Sequence, residues 1–178
     1  MFVLILPGYS TKNKPEAYNI SEVLEAAGHQ TLVYEWPHWE DVRLQLRPDF
    51  ELPTIRSRIK EVARQAELAI VAKSIGTFVA MLLLQKYSDI DPQKIILLGF
   101  PLTSLDEQEG KIYPEMIARF KDRTHILQNE HDPHGSSEEV KALLGEHQAL
   151  LQVMPGRDDH RYDYPQEVER LLRIKNRE

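Results

Sequence analysis

The sequence predicts an α/β fold in three layers, α/β/α, around a six-stranded parallel sheet. Three observations predict it. A short apolar run followed by a segment of helical period recurs six times along the chain, the order that builds parallel strands joined by right-handed crossovers. Runs such as Phe2-Val3-Leu4-Ile5-Leu6 are apolar without alternation, the mark of strands buried on both faces. The chain has 178 residues, 42% hydrophobic and 28% charged, enough for one domain, 1–178, with a substantial core.

The elements follow in order. Residues 2–6 are the first strand and Pro7-Gly8-Tyr9-Ser10 a turn. Pro15 sits near the start of a helix on which Ala17, Ile20, Leu24 and Ala27 recur at helical spacing, and Gly28 supplies its stop. Residues 30–34 are a second strand. Residues 35–52 carry Trp36, Trp39 and Phe50 without a clean period and are expected as a loop over one end of the sheet, with a short helix at 41–46. Ile55, Ile59, Val62, Ala63 and Ala66 then mark one helical face, and Arg56, Arg58, Lys60 and Arg64 its solvated side. Residues 68–72 are a strand and 78–85 a helix. Residues 94–98 are a strand after Asp91-Pro92. An acidic surface excursion at 102–113 leads into a helix at 114–120. Residues 124–127 are a strand. Ser136 with Glu139 forms a capping box for the next helix. Residues 149–153 are the last strand and 166–174 the closing helix.

The bulk properties exclude several classes. A net charge of −6 argues against a nucleic-acid partner. The absence of cysteine removes disulfides, thiolate metal sites and a cysteine nucleophile. No apolar run approaches the roughly 18 residues of a membrane span, and the first run is too short for a signal peptide, so a cytoplasmic protein is expected. Neither G-x-x-x-x-G-K-[ST] nor G-x-G-x-x-G occurs, so no nucleotide cofactor is implied. Oligomeric state is not written in the sequence.

One stretch organises the rest. In Ala72-Lys73-Ser74-Ile75-Gly76 a strand gives way to a helix at a serine flanked by small residues two positions away on each side. This is the nucleophile-elbow pattern with Ala in place of the first Gly, a substitution that costs freedom if that backbone needs positive φ. Taken alone, the stretch reads equally well as a serine capping a helix. In a parallel sheet, ligands sit at the carboxyl ends of the strands. The loops that meet there are 7–11, 74–76, 130–135 and 156–160.

With these loops in view, nearly the whole chain resembles the α/β-hydrolase family. The elbow at Ser74 is followed by Glu130-His131-Asp132-Pro133, similar to the family's acid loop, and then by Gly156-Arg157-Asp158-Asp159-His160-Arg161-Tyr162, similar to its histidine loop. The order Ser, Asp, His is the family's own. Pro7-Gly8-Tyr9 resembles its oxyanion loop. The family sheet usually has more strands, and this chain lacks the first two, so it resembles the compact, lid-poor hydrolases of the dienelactone-hydrolase-like and small serine hydrolase types. Asn129 stands where the acid loop commonly has Gly.

The resemblance implies a serine hydrolase acting on an ester, thioester or related acyl bond of a small molecule. Ser74 is then the nucleophile, His160 its base and Asp132 the acid, with Asp158 and Asp159 as rivals too close in sequence to His160. The backbone N–H groups of Tyr9 and Ile75 are the expected oxyanion donors. Trp36, Trp39 and Phe100 are candidates for an acyl pocket and equally for core. His131, Asp132, His134, Asp158, Asp159 and His160 admit a metal reading, which lacks helical His-x-x-x-His spacing, and no metal is expected. The alternative is a hydrolase-shaped protein without chemistry that works as a binding or interaction module.

Overall fold

The computed structural model describes residues 1–41, 43–45, 47–62 and 66–175. Six parallel strands form one sheet: β1 (Phe2–Leu6), β2 (Gln30–Val33), β3 (Leu68–Lys73), β4 (Lys94–Leu98), β5 (Thr124–Asn129) and β6 (Leu151–Met154). Their spatial order is β2-β1-β3-β4-β5-β6, so the direction of winding reverses between β1 and β3. β1 pairs with both neighbours in register, Leu4 lying opposite Leu32 and Ile70. The sheet is the one expected from the apolar runs.

Alternation along each strand divides the core. Phe2, Leu4 and Leu6 face α2 (Pro48–Val62), α3 (Ile75–Lys86), α5 (Ile112–Phe120) and α6 (Ser137–Leu144). Val3 and Ile5 face α1 (Lys14–Ala26) and α7 (Pro165–Arg173). α1 carries Ala17, Ile20 and Leu24 inward, and Gly28 takes up positive φ just past its end. α6 starts in the expected capping box, each of Ser136 and Glu139 satisfying the other's backbone N–H.

Some expectations are corrected. Asp41 takes hydrogen bonds from the backbone and guanidinium of Arg43, forming a turn in place of the short helix at 41–46, of which Val42 and Leu46 lie outside the described residues. α2 starts at Pro48, earlier than its apolar face suggests, and buries Leu52, Ile55 and Ile59, while Val62 is exposed. Ala63 and Arg64 lie outside the described residues. Two cations of its solvated side share a local partner: Arg56 and Lys60 both reach Asp89 at 2.7 Å. The excursion at 102–113 contains a short helix, α4 (Glu107–Gly110), capped by Asp106. Its end is not surface: Tyr113 is fully buried and stacks on Phe100 at 4.5 Å. β6 begins two residues later than expected because the chain from Gly145 to Leu150 is wound into a 3₁₀ segment. Among the described residues, no helix is long and apolar enough to cross a membrane.

Lys94 opens β4 with its ammonium buried and without a hydrogen-bond partner among the described residues. Burial pushes its pKa below the usual 10.5. A lysine whose folded pKa is lowered destabilises the fold while it is charged, and the penalty fades as pH rises from that lowered pKa to the unfolded value. Lys94→Met is therefore expected to stabilise the protein by about 1–3 kcal/mol at neutral pH. Urea unfolding measured upward from pH 7 should show the gap between variant and wild type closing toward pH 10.5. A gap that is constant with pH assigns the effect to packing.

Candidate active site

β3 ends in an elbow. Ser74 adopts φ 55°, ψ −126°, the one non-glycine residue with positive φ among those described. Such a conformation costs about 1–3 kcal/mol and persists only where its surroundings over-determine it. Here the Ser74 N–H reaches the Leu98 carbonyl at 2.9 Å, and the Ser74 carbonyl accepts from the N–H and the hydroxyl of Thr77. With the threonine proton so engaged, the Tyr113 hydroxyl donates to Thr77 Oγ1 at 2.7 Å. Gly76 lets α3 approach β1: a Cβ there would lie 2.1 Å from the Leu6 carbonyl oxygen. Ala72 needs no such freedom. It is a regular strand residue, paired with Leu6 and Leu97, and its φ is negative, which explains why Ala serves where the pattern has Gly.

Asp132 and His160 meet beside this elbow. His160 Nδ1 lies 2.7 Å from Asp132 Oδ2, and the aspartate side chain is wholly buried. A carboxylate only accepts, so Nδ1 carries the imidazole proton and Nε2 is left with its lone pair. Asp132 also accepts from the Tyr162 hydroxyl at 2.6 Å and, through Oδ1, from the His134 N–H at 2.8 Å. Nε2 is buried and has no hydrogen-bond partner among the described residues, Ser74 included. Burial, more than any neighbour, holds the His160 pKa below the ordinary value; Lys73 and His134 add to this, and the Asp132 bond opposes it. The rivals are placed elsewhere: Asp159 is bound to the Arg157 guanidinium at 2.9 Å, and no bond joins Asp158 to the imidazole.

A cavity of about 920 Å³ opens at this rim, with Ser74, Ile75, Tyr9, His134 and His160 on its walls. Asp132 stands behind His160. Trp36 and Phe100 do not line it: both are fully buried in the core, with the Trp36 indole donating to the Pro7 carbonyl at 3.2 Å. Trp39 does not line it either. Its indole and His38 Nε2 each lie 2.7 Å from the Tyr9 carbonyl, and the His38 ring stacks on Tyr9 at 4.1 Å. The aromatic segment thus fastens the loop after β1 instead of forming an acyl pocket. Among the described residues, no group of three or more His, Asp or Glu side chains is arranged to hold a metal ion.

Three residues that sequence reasoning passed over complete the arrangement. Asn129 Nδ2 donates to the carbonyls of Asp159 and Arg161 at 2.8 and 2.9 Å, gripping the loop on both sides of His160. Its departure from Gly was the signal. Tyr162, besides contacting Asp132, accepts the Asn129 N–H at 3.0 Å. Lys73 is buried on the cavity floor, its ammonium 2.6 Å from Asn13 Oδ1.

Comparison with known proteins gives the lineage. No curated protein is significantly similar to the chain in sequence. Among solved structures it resembles Est1E from Butyrivibrio proteoclasticus (15% identity, 96% of this chain and 84% of that one, TM-score 0.68). It also resembles an extracellular alpha/beta-hydrolase from a Paenibacillus species (12%, 99% of each chain, TM-score 0.64). A third is an esterase from Pyrococcus furiosus (13%, 96% and 81%, TM-score 0.64). At these identities the likeness shows the fold. The model of one family, described as an alpha/beta hydrolase domain, matches residues 10–172. With that match spanning the elbow and both later loops, the chain belongs to the alpha/beta hydrolase domain family.

Proposed function

We propose that the protein is a serine hydrolase that cleaves a carboxylic ester, thioester or related acyl bond through an acyl-serine intermediate. One observation carries the reading: a buried imidazole nitrogen, lone pair free and its other nitrogen anchored to a buried carboxylate, shares a cavity with a strained serine. In this reading Ser74 Oγ attacks the substrate carbonyl and its proton passes to His160 Nε2. Asp132 fixes the tautomer and stabilises the imidazolium that forms. The oxyanion is met by the backbone N–H of Ile75, at the start of α3, and of Tyr9. The leaving group takes the proton from His160, and a water repeats the sequence to release the acid. The Pyrococcus furiosus esterase among the structural neighbours is consistent with ester substrates.

A second reading, a hydrolase-shaped binding module, is favoured by one fact: Nε2 is not hydrogen-bonded to Ser74. Such contacts often close only when substrate is bound. A fluorophosphonate probe separates the two. Labelling is expected in the wild type, absent in Ser74→Ala and slowed by orders of magnitude in His160→Ala. A folded wild type that takes no label, with no turnover of activated esters, selects the binding module.

A further inference from the structure

We infer that the cavity binds an acyl substrate bearing an anionic group, and that Lys73 is the residue that recognises it. The inference rests on the hydrolase reading for its substrate, but the site itself does not. Lys73 directly precedes Ser74. Strand alternation turns its side chain away from α3 and toward the N-terminus of α1, which Asn13 immediately precedes. The residue is 7% exposed, yet its ammonium has a single hydrogen bond, to a neutral amide oxygen, and no carboxylate within 4 Å among the described residues. A buried ammonium with so little compensation is costly.

The charged groups on the cavity wall differ in how far they are already satisfied. Of the acids, Asp159 is held by the Arg157 guanidinium and by Asn129, and Asp163 Oδ1 accepts from Asn19 at 2.6 Å. Glu16 accepts the Tyr162 N–H at 3.1 Å, and its charge acts on Lys73 without an ion pair within 4 Å. Of the cations, neither Lys12 nor Arg161 has an ion pair within 4 Å among the described residues, and both are exposed beside Lys73. Each acid on this wall already accepts at least one hydrogen bond, whereas Lys12, Lys73 and Arg161 have no ion pair among the described residues, so the ligand that complements them is an acceptor with negative charge. Asn13 prepares the floor: its amide donates to the Ser10 carbonyl at 2.8 Å and packs against Gly8, which leaves Oδ1 to orient the lysine. An ammonium so placed, one residue from the nucleophile, selects for charge near the scissile bond. A fully apolar acyl chain leaves it desolvated and unpaired.

The test uses matched esters at low ionic strength. In one pair the charge is on the acyl side, p-nitrophenyl hydrogen glutarate against p-nitrophenyl valerate. In the other it is on the leaving group, 4-carboxyphenyl valerate against its methyl ester. In at least one pair the charged member is expected to have a kcat/KM about 10- to 100-fold higher, the range of one charge-assisted hydrogen bond. Lys73→Met, with Lys73→Gln as a second variant should the first fold poorly, is expected to lose that advantage. Calorimetric titration of monoethyl glutarate into the wild type, and into each variant, reads the same site without catalysis. Saturable binding that depends on Lys73 but comes with no turnover of any ester keeps the site and removes the hydrolase reading. Turnover in which the neutral member wins both pairs, together with binding indifferent to Lys73, overturns the inference and keeps the hydrolase.

Discussion

Asp132→Asn is expected to lower kcat by about four orders of magnitude, with KM changing little. The reason lies in which atoms of the carboxylate are already spoken for. Oδ1 accepts the His134 N–H, and Oδ2 accepts from both the Tyr162 hydroxyl and His160 Nδ1. An asparagine must place its amide oxygen on one side and its NH₂ on the other. Keeping the oxygen toward the His134 N–H turns the NH₂ toward His160, whose Nδ1 must then accept. The proton moves to Nε2, the nitrogen left without a hydrogen-bond partner among the described residues, and the imidazole can no longer take a proton from Ser74. Turning the amide the other way leaves the His134 N–H against a donor. Either arrangement keeps the volume of the side chain, so far-UV circular dichroism should be near that of the wild type. Stopped-flow measurement of acylation by an activated ester is the check. Near-normal rates in the variant reassign the acid role to another carboxylate.

The rim of the sheet was legible because the elements that form it are short-range in sequence. β1 and β4 are buried on both faces, so their apolar runs are unbroken or nearly so and cannot be mistaken for amphipathic helix. The elbow announces itself through local sterics: a serine with small neighbours between a strand and a helix. What was not legible depends on partners about 30 residues away. Asn129 grips the loop around His160, and Tyr162 bridges that asparagine's N–H to Asp132. Nothing in the local pattern of either residue states the pairing. The aromatic residues at the strand ends illustrate a different limit. Apolarity near a sheet rim suits a pocket wall and a core alike. Trp36 and Phe100 went to the core, where Trp36 meets Tyr34 and the Pro7 carbonyl and Phe100 stacks on Tyr113, and Trp39 was drawn to a backbone carbonyl. Lys73 was hidden for the opposite reason: a lysine inside a pattern of small residues reads as a solvated interruption until α1 is seen to cover it.

Tyr162→Phe is the variant expected to cost most stability at the site while removing only one oxygen atom. The tyrosine is fully buried, and its ring presses on Gly99, where a Cβ would lie 2.2 Å from the ring. That glycine sits at φ +62°, so the close approach of ring to backbone is fixed by conformation as well as by space. The hydroxyl donates to Asp132 and accepts from the Asn129 N–H, and burial first, then the carboxylate, pushes its pKa well above the usual phenol value. Phenylalanine keeps the ring packing and deletes both bonds. It leaves a buried backbone N–H without its acceptor and a buried carboxylate short of one donor, each a loss of about 1–3 kcal/mol, so a total of about 2–6 kcal/mol is expected in urea unfolding at pH 7. With one donor fewer competing for its charge, the Asp132 carboxylate holds the His160 imidazolium more strongly, which raises the His160 pKa that burial keeps low. The acid limb of kcat/KM is therefore expected to move to higher pH in the variant, while the plateau falls far less than in Asp132→Asn. A loss of stability without movement of that limb confines Tyr162 to packing and removes it from the proton-handling chain.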